Sequence, residues 1–131
     1  MSSKTEMLNE LLIDLSRASQ GNVEASAVIS KSQGLTICSH YPEGTDEKNV
    51  PDEDVIAGRS TQIQEATRKV FKQLKRGPLV RMLIEGETGY VIICDAGADA
   101  ILAVLTTKRA NIGYMFFMMT RIAKRIEKVL A

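Results

Sequence analysis

The residue types that most often carry catalysis or bind metals are scarce in this sequence. Its 131 residues include one histidine, two cysteines and no tryptophan. His40 has no neighbours that would complete a catalytic triad or a metal site. Asp95 and Asp99 flank a predicted turn and are expected to be solvated loop carboxylates. Because no glycine pattern matches a phosphate-binding loop or a dinucleotide fingerprint, we predict a protein that is not an enzyme and has no cofactor or metal.

Cysteine usage, charge and the length of the apolar runs exclude further classes. Cys38 and Cys94 lie inside apolar strand patterns, which is typical of buried free thiols in a reducing cytosol. The net charge is +1, and the aromatic residues do not alternate with a basic strip as in an RNA-binding sheet. No apolar run is long enough to span a bilayer, and no signal segment opens the chain. We therefore expect one cytoplasmic domain over residues 1–131, with no nucleic-acid partner and no direct membrane insertion.

The sequence does contain a predicted meander of three antiparallel strands. Apolar runs of strand length, separated by turns that contain glycine, lie at residues 79–85, 91–94 and 101–105. The second and third runs are apolar on both faces, so helices must cover the sheet above and below. The first run has Arg81 and Glu85 on one face, which suits a strand at the edge of the sheet.

Three helices and a hairpin complete the predicted order α-β-β-α-β-β-β-α, which is an α+β fold. A capping-box spacing begins helix one, which we expect over residues 4–20. Alternating residues at 23–29 and 35–41 predict a hairpin whose second strand lies at the other edge. Helix two is expected to have Pro51 at its first helical position and to end at Arg76. Asn111 is expected to cap helix three, which ends near Leu130.

Helix two has an apolar stripe and a polar arc. The stripe is predicted to face the core and consists of Ile56, Ile63, Val70 and Leu74. The opposite arc is predicted to face solvent and consists of Gln64, Arg68, Lys72 and Lys75.

Five short motifs, taken with the element order, closely resemble the Roadblock/dynein light chain family. Each motif alone is weak, because its residues are typical of turns and cores. Their order and spacing over nearly the whole chain make the match specific. The resemblance is to the prokaryotic branch, which includes regulators of Ras-like GTPases. The motifs are Ser-Gln-Gly-Leu at 32–35, Tyr-Pro-Glu-Gly at 41–44, Gly-Tyr-Val-Ile at 89–92, Asp-Ala-Ile-Leu-Ala at 99–103 and Asn-Ile-Gly at 111–113.

The resemblance implies a five-stranded antiparallel sheet in the order 2-1-5-4-3. Helix two would lie on one face of that sheet, and helices one and three on the other. In this order two strands separate Cys38 from Cys94, so the two thiols are too far apart to form a disulfide. The family motif contains no catalytic residues. The resemblance also implies homo- or heterodimers that bind small GTPases or motor and scaffold complexes.

From this resemblance and the helix-two pattern we predict a non-catalytic dimeric interaction module that binds and regulates, or scaffolds, a small Ras-like GTPase. Dimerisation is predicted at the third strand and helix two, since an open strand edge can pair with its symmetry mate. The polar arc of helix two, doubled by symmetry, would give a positive surface suited to acidic switch regions. The predicted dimer-interface residues are Ser60, Thr67, Phe71, Leu79, Arg81 and Leu83, and the predicted partner-binding residues are Gln64, Arg68, Lys72 and Lys75.

Other functions stay open on the sequence alone. PAS, GAF and profilin-like sensory domains also cover an antiparallel sheet with helices, and a scaffold subunit of a motor or membrane complex is a further alternative. A homodimer and a dimer with a related chain are both compatible with the sequence. A third hypothesis is a binder of anionic surfaces that uses Lys72, Lys75, Arg76, Lys124, Arg125 and Lys128.

Overall fold

A computed structural model describes residues 3–46 and 48–131. The order of helices and strands is the predicted one. In chain order the elements are α1 (Lys4–Ala18), β1 (Val23–Ser30), β2 (Thr36–His40), α2 (Glu53–Gln73), β3 (Arg81–Glu85), β4 (Gly89–Asp95), β5 (Ala100–Thr107) and α3 (Ile112–Leu130).

The five strands form one antiparallel sheet in the order β2-β1-β5-β4-β3. The central strand β5 places Ala103 opposite Ala27 of β1 and Ile93 of β4. Strands β2 and β3 lie at the two edges, and the register of β2 shifts where Ile29 pairs with Thr36. The predicted strand order and both edge positions are therefore confirmed.

The helices form two layers, one on each face of the sheet. Leu102 and Val104 of β5 face the core that contains α1 and α3. Ile101 and Ala103 face the smaller core under α2. This alternation is the period of two that a strand imposes on its side chains, so a strand apolar on both faces requires both layers.

Each helix begins at a residue whose side-chain oxygen accepts a backbone N–H, which leaves one fewer unpaired donor at the helix start. The oxygen of Ser3 accepts from Glu6 at 3.1 Å, and that of Asn111 accepts from Tyr114 at 3.0 Å, as predicted. Asp52 caps α2 by accepting from the Val55 N–H at 3.0 Å. The prediction that Pro51 occupies the first helical position was wrong, because the capping carboxylate sets the start at Glu53.

Cys38 on β2 and Cys94 on β4 are both free and buried, which confirms the prediction from the strand order. Burial raises the pKa of the Cys94 thiol to about 12, and the neighbouring Asp95 carboxylate adds to the effect. Burial also raises the pKa of Cys38, with a further contribution from Glu53. Because the thiolate is the reactive form, both cysteines should be slow nucleophiles in the folded protein.

We expect iodoacetamide at pH 8 to modify Cys38 slowly and Cys94 more slowly still. A thiol with a pKa of about 12 is ionised in only about one molecule in ten thousand at that pH. Mass spectrometry of timed samples would measure both rates, and the same protein unfolded in urea is the control in which both cysteines react. Rapid modification of Cys94 in the folded protein would contradict its burial beside α3.

Candidate interaction surface

The face of α2 that packs on the sheet includes Ile56 of the predicted stripe but not Ile63, Val70 or Leu74. Its buried residues are Ile56, Ala57, Ser60 and Gln64, and the Gln64 side chain is only 5% exposed. The predicted assignment of Gln64 to a solvent-facing arc was therefore wrong. The physical reason lies in the sheet beneath α2. The side chains there are small, which lets α2 pack closely through its own small and polar residues. These sheet residues are Ala25, Ala27 and Ala103.

Asp95 at the end of β4 anchors this inner face. The Gln64 amide donates a hydrogen bond of 2.8 Å to Asp95 Oδ1. The Arg68 guanidinium lies 3.4 Å from Oδ2, and Lys31 Nζ lies 3.1 Å from Oδ1. The expectation that Asp95 is a solvated loop carboxylate was wrong, since it ties α2 and the turn after β1 to the end of the sheet. This arrangement satisfies the buried Gln64 amide, which would otherwise be costly.

The rotation of α2 leaves part of its apolar stripe in solvent. Ile63, Val70 and Leu74, which we call the α2 stripe, are 39%, 47% and 59% exposed. Their spacing places them along one side of the helix, about 80° from the buried face. A contiguous exposed apolar strip of this kind marks an interaction site more often than isolated surface leucines do.

Strand β3 has an open edge among residues 3–46 and 48–131, because it pairs there with β4 on one side only. Its side chains alternate between the two layers. Met82 belongs to the core under α2. Arg81 points to the other face, where its guanidinium carbon lies 4.9 Å from the centre of the Phe116 ring in α3. Leu83, which shares that face by alternation, is exposed.

The structure divides the predicted interface residues between the two faces. On the α2 side, Ser60 is buried, Thr67 and Phe71 are half-buried, and Leu79 packs against the core. Arg81 and Leu83 lie on the opposite face. Of the predicted partner-binding residues, Gln64 and Arg68 are engaged by Asp95, whereas Lys72 and Lys75 are exposed. The interface and partner roles of all these residues remain predictions. Ile63 and Val70 were missed as surface residues because an apolar stripe does not distinguish a core from an interface.

A hollow of about 720 Å³ lies between the end of β2 and the start of α2, and it opens to solvent. Its polar groups are already paired: the Tyr41 hydroxyl donates to the Pro51 carbonyl at 2.8 Å, and the Ser39 hydroxyl donates to Glu53. Ligand sites are usually enclosed and contain a few free polar groups, so this hollow gives little support to the sensory alternative.

The described residues, 3–46 and 48–131, contain no group of three or more His, Cys, Asp or Glu side chains that could hold a metal ion. No helix within this described part is long and apolar enough to cross a membrane.

A family model of the Roadblock/LC7 domain matches residues 8–106. The match covers most of the chain, and the chain therefore belongs to the Roadblock/LC7 domain family. The predicted resemblance is confirmed.

Similar proteins match this chain along almost their whole length. The curated protein MJ1340 of Methanocaldococcus jannaschii is 28% identical over 121 residues, which cover 92% of this chain and 97% of that protein. The solved structure described as MglB with tetrameric arrangement has a TM-score of 0.88 and 18% identity, and covers 98% of this chain and 91% of its own. The gliding protein mglB of Thermus thermophilus has a TM-score of 0.87 and 17% identity, with 98% and 92% covered. At such identities the structures show a shared fold.

We expect Asp95→Ala to destabilise the protein by about 2 kcal/mol, because it leaves the buried Gln64 amide without its acceptor. Asp95→Asn retains an acceptor for Gln64 and loses only partly exposed ion pairs, so its cost should be about 1 kcal/mol or less. Urea unfolding followed by circular dichroism would measure both, with the exposed Asp99→Ala as the matched control. Equal stabilities for all three variants would show that the Asp95 cluster does not hold α2.

Proposed function

We propose that the chain forms a homodimer through the α2 stripe and the β3 edge, and that the dimer is a non-catalytic module that binds a small Ras-like GTPase. The observation that carries the proposal is the α2 stripe, an apolar strip on a rigid helix that the monomer leaves in solvent. Membership of the Roadblock/LC7 family supports this class of partner, through the resemblance to its prokaryotic branch.

The dimer is supported by two features that a monomer leaves unsatisfied. The open edge of β3 presents unpaired backbone groups that an antiparallel copy of β3 can pair. The α2 stripe would be covered in the same contact, and burying each of its side chains contributes about 1 kcal/mol. A similar fold is described as MglB with tetrameric arrangement, which favours self-association as a property of this architecture.

The GTPase-binding part is supported by charge at the end of α2. Residues 68–76 contain five Lys or Arg and no Asp or Glu. Arg68 is engaged by Asp95, whereas Lys72 and Lys75 are exposed and form no salt bridge with any residue that the structure describes. In a two-fold dimer these cations occur twice on one side of the sheet, which suits an acidic partner surface. The dimer surface would therefore present apolar helices flanked by positive charge.

We expect the wild-type protein to be a dimer and Val70→Asp to be a folded monomer. Val70 is half exposed, so a carboxylate there is tolerated by the monomer, whereas it would be buried without a partner in the dimer. Size-exclusion chromatography with light scattering would give the mass, and circular dichroism would confirm the fold. The neighbouring Lys69→Asp, outside the stripe, is the matched control and should stay dimeric. A monomeric wild-type protein at micromolar concentration would contradict the proposed dimer.

We expect Lys72→Glu with Lys75→Glu to weaken GTPase binding about tenfold, mainly through a slower association rate. Surface plasmon resonance against the GTPase loaded with GDP or with a GTP analogue would separate the two rates at several salt concentrations. Lys124→Glu with Lys128→Glu makes the same charge change on α3 and should leave binding intact. If no small GTPase from the same cell binds the wild type in either nucleotide state, the proposed partner is wrong.

A further inference from the structure

The outer face of α3 is exposed in the part of the chain that the structure describes. A single stripe of exposed residues runs along it at helical spacing, about 21 Å from Tyr114 to Lys128. Tyr114 and Phe117 are 43% and 56% exposed, which is unusual for large aromatic side chains. We call this stripe the α3 face, and its members are Tyr114, Phe117, Arg121, Lys124, Arg125 and Lys128.

The α3 face is the site of a marked charge asymmetry. Residues 108–131 contain six of the 17 Lys and Arg residues and one of the 16 Asp and Glu residues, so this segment carries +5 while the rest of the chain carries −4. Among the described residues, none of the four cations of the α3 face forms a salt bridge. A nearly neutral protein thus has two basic regions, the end of α2 and the α3 face, and the second presents four cations in one stripe, a pattern typical of binding to an anionic surface.

We propose that the α3 face binds the surface of a membrane that contains anionic phospholipid. The cations would lie among the lipid headgroups, and the rings of Phe117 and Tyr114 would sit at the boundary with the acyl chains. The two rings lie together at one end of the stripe and the cations follow them, an arrangement that suits a lipid interface, whereas sites for single-stranded nucleic acid alternate aromatic and basic residues. The proposed contact is peripheral, and α3 does not cross the bilayer in it.

This step rests on the proposed dimer. The dimer would place two copies of the α3 face on the same side of the joined sheet. A two-fold axis that pairs β3 with β3 in antiparallel fashion is perpendicular to the sheet. Both α1–α3 layers therefore lie on one side of the joined sheet and both α2 helices on the other. One flat surface could then engage two α3 faces together, which raises the overall affinity without any new contact.

Vesicle sedimentation with the full chain tests the proposal. We expect binding to vesicles of equal parts phosphatidylcholine and phosphatidylglycerol, little binding to vesicles of phosphatidylcholine alone, and a steep loss of binding as salt rises. Lys124→Glu with Lys128→Glu should lower the partition coefficient about thirtyfold or more, at about 1 kcal/mol for each cation lost. Phe117→Ser should lower it several-fold with the salt dependence unchanged.

Lys72→Glu with Lys75→Glu is the matched control, because it makes the same charge change on the opposite side of the sheet. It should reduce GTPase binding and leave vesicle binding intact, whereas the α3 variant should do the reverse, so the two proposals fail separately. The monomeric Val70→Asp should bind vesicles more weakly than the wild type; equal binding would overturn the two-copy contact.

Three results would overturn the membrane proposal. The first is the absence of vesicle binding at low salt. The second is an equal loss of binding in the α3 variant and in its α2 control. The third is binding to poly-glutamate or to single-stranded DNA with no binding to vesicles, which would assign the α3 face to an acidic protein or a nucleic acid.

Discussion

The burial of β5 on both faces is the constraint on which the rest of the structure depends. Ile101 to Val104 are fully buried and alternate between the two layers, so neither face can be left open. Three helices must cover two faces, and one face therefore receives α1 and α3 while the other receives α2 alone. On the α2 side, Leu79, Ile84 and Val91 stay half-buried near the β3 edge. Because a single helix covers this side, it is the side whose apolar residues a second copy would cover in the proposed dimer.

The sequence predicts the elements well where local chemistry decides them. Gly-bearing turns separate the strands of the meander, and side-chain caps begin the helices, as Ser3 and Asn111 show. Two-sided apolar strands also predict the two helix layers. The position of β5 between β1 and β4 could not be obtained from these local signals, because strand order is set by long-range packing. It came from the family resemblance and is confirmed by the structure.

The face of α2 was mispredicted for a different physical reason. A stripe of apolar residues on a helix predicts burial, yet burial in a monomer and burial in an assembly produce the same pattern. Two local signals favour the observed face: the alanines on the sheet beneath, and the spacing of Gln64 and Arg68 on one side of the helix. Neither signal decides the matter without Asp95, which is distant in sequence and reaches both residues only in the folded protein. Polar residues can line an inner face when one well-placed carboxylate satisfies them.

The two proposed surfaces would be separated by the full thickness of the domain. One helix layer, the sheet and a second helix layer together span about 30 Å, since each helix is about 10 Å across and layers pack about 10 Å apart. This is several times the screening length of about 8 Å at physiological salt. Charges on the distant parts of the two surfaces are therefore screened from each other. The surfaces come closer at the end of β4, where Lys124 of the α3 face lines a hollow with Asp95, whose carboxylate also contacts Arg68 of α2. Coupling between the two surfaces would pass through Asp95, because it also ties α2 to the end of β4.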